Sequence, residues 1–127
     1  MLTLITGGVR SGKSRYALEL ARQARVSRPK CFLATAEPLD EEMKIRIARH
    51  RKERSDDFLT IEAPFYLSRA IEKAQEECGL ILVDCLTLWV SNLLYRFVDE
   101  PNQIKEEIES LMNIIRSNKA DMILIGG

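Results

Sequence analysis

The tightest constraint on this chain is a short loop near its start, Gly7-x-x-x-x-Gly12-Lys13-Ser14. An apolar run, Leu2 to Thr6, precedes it and a stretch with helical spacing, Ser14 to Arg25, follows. The spacing fits the Walker A pattern in its required strand-loop-helix setting. Glycines let the backbone of Gly7, Gly8, Val9, Arg10, Ser11 and Gly12 curl so that several N–H groups converge on phosphate oxygens. The positive end of the following helix adds to that field. Lys13 is then placed for the β- and γ-phosphates of a nucleoside triphosphate, and Ser14 for Mg²⁺. No G-x-G-x-x-G is present, which disfavours a dinucleotide fold.

The rest of the chain alternates apolar runs with helical patterns. Cys31–Thr35, Phe58–Glu62, Leu80–Asp84 and "MILIGG" read as strands, and Leu2–Thr6 as a buried one. Asp40 is placed to cap a helix that runs to Arg54, with Glu41 and Glu42 at its positive end. Pro64 suits the first turn of a further helix whose stripe is Leu67, Ala70, Ile71, Ala74 and Cys78, with Gly79 as its stop. "LTLWVSNLLYRF" is helical and apolar all round, hence well buried or at an interface. "VDEPN" reads as a loop, and Ile104, Ile108, Leu111 and Ile115 mark a last helix. Alternation of this kind predicts an α/β fold with a mostly parallel sheet and helices on both faces, a P-loop NTPase. At 127 residues the expectation is one nucleotide-binding domain.

Composition excludes more than it identifies. Hydrophobic residues make up 46% and charged residues 30%, and the formal net charge is zero, so no global pull toward nucleic acid or acidic membrane exists. The three cysteines, Cys31, Cys78 and Cys85, form no C-x-x-C pair and read as reduced, buried and structural. No signal peptide and no membrane span is visible, so a cytoplasmic location is expected.

Two further features carry chemistry. Asp84 closes "LILVD", and an acid at the tip of an apolar strand is the Walker B arrangement for Mg²⁺; a simple helix N-cap is the plainer alternative. Residues 44–54, "KIRIARHRKER", set six cationic side chains against the single carboxylate of Glu53. Met43, Ile47, His50 and Arg54 fall on one stripe of that helix. His50 is the chain's one histidine. Three readings compete: a solvated charged helix, a nucleic-acid surface, and a chemical site. In the third, neighbouring cations disfavour protonation of His50, and a neutral imidazole can attack phosphorus.

"TGGVRSGKSRYA", "FLATAEPLDEEMKIRIARHRKER", "TIEAP" and "LVDCLTLWVSNLL" occur in this order. Together they resemble the signatures of the bifunctional adenosylcobinamide kinase / adenosylcobinamide-phosphate guanylyltransferase family. The likeness runs from Met1 to about Leu94. It implies a P-loop sheet with RecA-like strand order. It implies phosphorylation of adenosylcobinamide, then transfer of GMP from GTP to that phosphate through a guanylyl-histidine, in adenosylcobalamin (vitamin B12) biosynthesis. Carried over by position, it puts GMP on His50 and nucleotide phosphates on Gly7 to Ser14, with Lys13 catalytic. It implies nucleotide contacts from Thr35, Ala36 and Glu37, from Arg51, Lys52, Glu53 and Arg54, and from Glu62 and Asp84. Mg²⁺ would sit on Ser14 and Asp84. ATP, GTP and a corrinoid are the implied small-molecule substrates, and a homo-oligomer the implied assembly, with no nucleic-acid partner. The family continues past the last strand with an Asn-Glu-Val-Gly and an Arg-x-Phe-Arg-Asp segment that this sequence does not contain, so the chain is expected to lack part of the family's C-terminal surface.

Overall fold

Five apolar runs become five parallel strands. In the computed structural model, β1 (Leu2–Ile5), β2 (Lys30–Ala34), β3 (Leu59–Glu62), β4 (Leu80–Asp84) and β5 (Asp121–Ile125) form one sheet in the order β1-β5-β4-β2-β3. The structure describes residues 1–8, 11–54 and 57–126, for 53 and 54 the backbone only. The order is the RecA-like one: β5 inserts between the strand leading into the glycine loop and the strand ending in Asp84. Every neighbouring pair is parallel, with Asp84 level with Ala34 on one side and Ile125 on the other.

Parallel strands buried on both faces need unbroken apolar runs, and β4 supplies one. On one face Phe32, Ala34, Leu80, Leu82, Ile123 and Ile125 pack against Ala17 and Ala21 of α1 (Lys13–Gln23). On the other, Cys31, Leu33, Ile81, Val83, Met122 and Leu124 meet α3 (Leu67–Ala74), α4 (Leu86–Arg96) and α5 (Pro101–Arg116). The remaining helix, α2 (Glu41–Arg54), joins β2 to β3. Asp40 caps it as expected, its Oδ1 accepting from the Met43 amide at 2.7 Å.

Several expectations need correction. β1 is not buried: it is an edge strand, and Leu2 and Leu4 are exposed. Pro64 does not open α3. The carbonyls of Pro64 and Phe65 are instead taken by side chains of α4, Asn92 Nδ2 at 3.0 Å and Trp89 Nε1 at 2.7 Å, and the helix starts only at Leu67. Gly79 does not stop that helix either. α3 ends at Ala74, a turn carries Cys78 into the core, and Gly79 already bonds to the sheet margin through Pro29 O and the Asp121 amide. Of the two alternatives for α4, full burial does not hold: Trp89 and Leu93 are buried, but Leu94 and Tyr95 are exposed. Pro101 belongs to α5 as its first residue, where a missing N–H costs nothing. In α5 Ile108 is exposed, and Glu107 takes a buried place with its carboxylate accepting from Gln103 Nε2 at 3.1 Å.

Candidate functional site

The glycine loop has the conformation its residues permit. Gly12 sits at φ 80, the left-handed region, as the N-cap of α1. Gly7 is needed for a different reason: a Cβ there would lie 2.6 Å from Ser11 Oγ. Ser11 N donates to Gly8 O at 3.3 Å, and Lys13 Nζ donates to Gly8 O at 3.2 Å. Val9 and Arg10 lie outside the described residues.

Beside this loop opens a cavity of about 640 Å³, within the usual range for a small-molecule site. Phe32 and Ala34 line it from the sheet. From α1 come Ser14, Arg15, Leu18, Glu19 and Arg22. From α2 come Met43, Arg46, Ile47 and His50, the i, i+3, i+4, i+7 face of that helix. Ala36, Asp84, Cys85 and Leu88 complete the wall at the strand ends. Four residues singled out in the sequence therefore meet in one space: Ser14, Ala36, His50 and Asp84.

The plainer role for Asp84 is taken by its neighbour. Cys85, half-buried rather than buried, is the N-cap of α4, its Sγ accepting from the Leu88 amide at 3.4 Å. Asp84 thus stands at the end of β4 facing the cavity without serving as the cap. Ser14 and Asp84 supply hydroxyl and carboxylate oxygens, a hard donor pair. No group of three or more His, Cys, Asp or Glu side chains able to cage a metal exists among the described residues.

The other sequence candidates flank the cavity. Thr35 is buried behind it. Glu37 is half-buried in the next turn, its carbonyl accepting from the Leu39 amide at 2.9 Å. Arg51 reaches from α2 toward the end of β3, Nη1 3.7 Å from Glu62 Oε1, and Lys52 is exposed. Glu53 and Arg54 are the last residues of α2, and their side chains lie outside the described residues.

α2 is held lightly. Among its described side chains none is fully buried, and Met43 and Ile47 are the partly covered ones. Its charges are engaged in exposed pairs, Lys44 with Glu41 at 3.2 Å and Arg46 with Glu42 at 3.8 Å, each worth under about 1 kcal/mol. Arg22 of α1 pairs with a carboxylate that precedes β3, its Nε 2.9 Å from Asp57 Oδ2.

Sequence reading missed the α1 wall. Ala17, Leu18, Ala21 and Ala24 have the spacing of one core face, but Leu18 also lines the cavity with Arg15 and Arg22, an i, i+3, i+7 row that starts next to Ser14. Arg46 was visible as a neighbour of His50, and its place on the cavity follows from the helical period.

Comparison with known proteins agrees with this geometry. The family described as "Cobinamide kinase / cobinamide phosphate guanyltransferase" matches residues 3–126. Among curated proteins, the bifunctional adenosylcobalamin biosynthesis protein CobP of Pseudomonas aeruginosa is 39% identical over 125 residues, covering 98% of this chain and 70% of its own length. The bifunctional adenosylcobalamin biosynthesis proteins CobU of Salmonella typhimurium and Escherichia coli are 34% and 32% identical, each with 98% of this chain and 74% of the relative covered. A match over nearly the whole chain, on a sheet of RecA-like order with Ser14, His50 and Asp84 around one cavity, makes this chain a member of the cobinamide kinase / cobinamide phosphate guanyltransferase family.

Proposed function

We propose that this chain carries out both reactions of its family in the cavity between α1 and α2, with His50 as the covalent carrier of GMP. Membership makes the chain a transferase of adenosylcobalamin biosynthesis. The observation that supports the assignment of His50 is its position: the chain's one histidine lies on a lightly held cationic helix and lines the same space as Ser14 and Asp84.

In the kinase step, the γ-phosphoryl group of ATP or GTP passes to a hydroxyl of adenosylcobinamide. The main-chain amides of Gly7 to Gly12 and the N-terminus of α1 hold the phosphates, and the Lys13 ammonium exchanges Gly8 O for a phosphate oxygen. In the transferase step, an imidazole nitrogen of His50 attacks the α-phosphorus of GTP. A P–N bond forms, the Pα–O bond to pyrophosphate breaks, and the ring proton leaves to solvent. The phosphate oxygen of adenosylcobinamide phosphate then attacks the same phosphorus, and the P–N bond breaks to return free imidazole. Arg15 and Arg46, both on the cavity wall, stabilise the charge on the phosphoryl oxygens as it develops. Arg51 and Glu62 fix the outer edge of the nucleotide site.

Ser14 and Asp84 fit Mg²⁺, which takes one or two protein oxygens and completes its shell with phosphate and water. When bound, it would neutralise charge on the phosphates. The exposed Leu94, Tyr95 and Val98 support a homo-oligomer. No helix among the described residues is long and apolar enough to cross a membrane, and dependence on nucleoside triphosphates supports a cytoplasmic location.

Incubation with GTP labelled at the α-phosphate tests the reading. Acid-labile, base-stable label should appear on the protein and be chased onto adenosylcobinamide phosphate. His50→Ala should lose it, with guanylyl transfer down about 10³-fold or more. Unchanged labelling of His50→Ala rules His50 out, and phosphorylation of adenosylcobinamide without any labelling leaves a plain kinase.

A further inference from the structure

We infer that Thr35 is a positioning residue that sets the place of Asp84, and with it the cation site, through the main chain. The inference rests on the reading of Asp84 as the cation-binding acid.

Thr35 follows the last residue of β2 and is 0% exposed, so its side chain meets neither solvent nor the cavity. Its amide and hydroxyl both bond to the segment that carries Asp84. The Thr35 amide donates to Asp84 O at 3.1 Å. The hydroxyl oxygen accepts from the Cys85 amide at 2.9 Å. A hydroxyl has one proton to give, and two carbonyls compete for it, Cys85 O at 2.9 Å and Asp84 O at 3.2 Å. Thr35 therefore grips Asp84 and Cys85 from one side through donor and acceptor together.

Its own position is fixed from the opposite side. Asn92 of α4 has two amide protons, and they go to Thr35 O at 2.8 Å and Pro64 O at 3.0 Å. Both partners are acceptors, so the orientation of the amide is decided by the network. The Ala63 amide in turn donates to Ala34 O at 2.8 Å. The ends of β2, β3 and β4 are thereby joined by two side chains, Thr35 and Asn92, directly behind the cavity wall. Asp84 is the last ladder residue of β4, level with Ala34 and Ile125, and Cys85 beyond it is held by Thr35 instead. Without the Thr35 hydroxyl, the Cys85 amide loses its acceptor and the main chain that carries Asp84 loses one of its holds.

Residues that orient metal ligands from behind typically affect affinity by about 10- to 100-fold. The test uses Mn²⁺ as the spin probe with the β,γ-imido analogue of GTP bound, read by electron paramagnetic resonance, so it does not depend on turnover. Thr35→Val keeps the shape and removes the hydroxyl; it should weaken Mn²⁺ binding about 10-fold or more while metal-free binding of the analogue stays near that of the parent. Thr35→Ser, which restores the hydroxyl, should return within about threefold. Asp84→Asn is the reference. If Asp84→Asn loses Mn²⁺ and Thr35→Val keeps it, the inference is overturned. If Asp84→Asn itself binds Mn²⁺ as the parent does, the reading of Asp84 fails and the inference with it. Should Thr35→Val melt below the assay temperature, the titration is read on Asn92→Leu, which loosens Thr35 from the other side: weakened Mn²⁺ binding supports the inference and parental binding overturns it.

Discussion

Three glycines of the phosphate-loop segment should respond to alanine in three different ways. At Gly12 there is room, since a Cβ meets nothing within 4 Å, but the backbone stands at φ 80. An L-residue there costs roughly 1–2 kcal/mol. For a chain of 127 residues each kcal/mol moves Tm by about 3–5 °C, so Gly12→Ala should melt about 3–10 °C lower. At Gly7 the backbone is unexceptional and space is the problem, the new Cβ falling 2.6 Å from Ser11 Oγ and 3.3 Å from Ser11 Cβ. Overpacking of this kind costs about 1–3 kcal/mol, and Ser11→Ala should recover part of it because one of the two close atoms is gone. Gly8→Ala has both room and an ordinary φ and should stay within about 0.5 kcal/mol of the parent. Thermal unfolding by circular dichroism of the three single variants and of Gly7→Ala/Ser11→Ala reads all of this. Gly12→Ala melting together with Gly8→Ala would refute the left-handed cap. A Gly7→Ala loss that Ser11→Ala leaves untouched would refute the close approach.

Burial beside Cys78 pushes the Cys31 thiol up from 9.0 to about 12, desolvation being the larger cause, and burial likewise raises Cys78. Below pH 9 folded and unfolded chains both hold the Cys31 proton and its contribution is fully present; between pH 9 and about 12 only the unfolded chain releases it. Stability should then fall by about 1.4 kcal/mol per pH unit for that thiol, and urea unfolding at successive pH values should show a shallower fall in Cys31→Ala; parallel curves contradict the account. Asp40→Ala removes the cap of α2 at a cost of about 1 kcal/mol. Because α2 buries so little, hydrogen exchange at the Met43 amide should quicken with almost no change in global Tm; a large fall in Tm would mean that α2 is part of the core.

The fold was legible where the determinants are local. The strand at Leu80–Asp84 matches its apolar run at both ends, because a strand covered on both faces has no polar residue to interrupt it. The α2 face was legible from period alone: Met43, Ile47 and His50 do line one wall. What was not legible depends on distant partners. The order of strands cannot be read from β1, so its exposed Leu2 and Leu4 looked like core. The start of α3 is decided by Trp89 and Asn92, more than 20 residues away, which withdraw the carbonyls of Pro64 and Phe65 from any helix. The inward turn of Thr35 depends on β4 lying alongside β2. In "FLATAE" nothing distinguishes a residue that faces a ligand from one that faces the next strand.

The central claim is that the GMP carrier is His50. Both histidine and lysine form acid-labile P–N bonds, and Lys13 and Lys52 lie close in structure or sequence, so the position of the bond matters more than its existence. The direct measurement is mass spectrometry of the protein after reaction with GTP and an alkaline quench, with fragmentation of the peptide from α2. The account predicts a GMP adduct on the imidazole of His50 that disappears when adenosylcobinamide phosphate is added. An adduct on Lys13 or Lys52, or a productive transferase that never carries GMP, would contradict it.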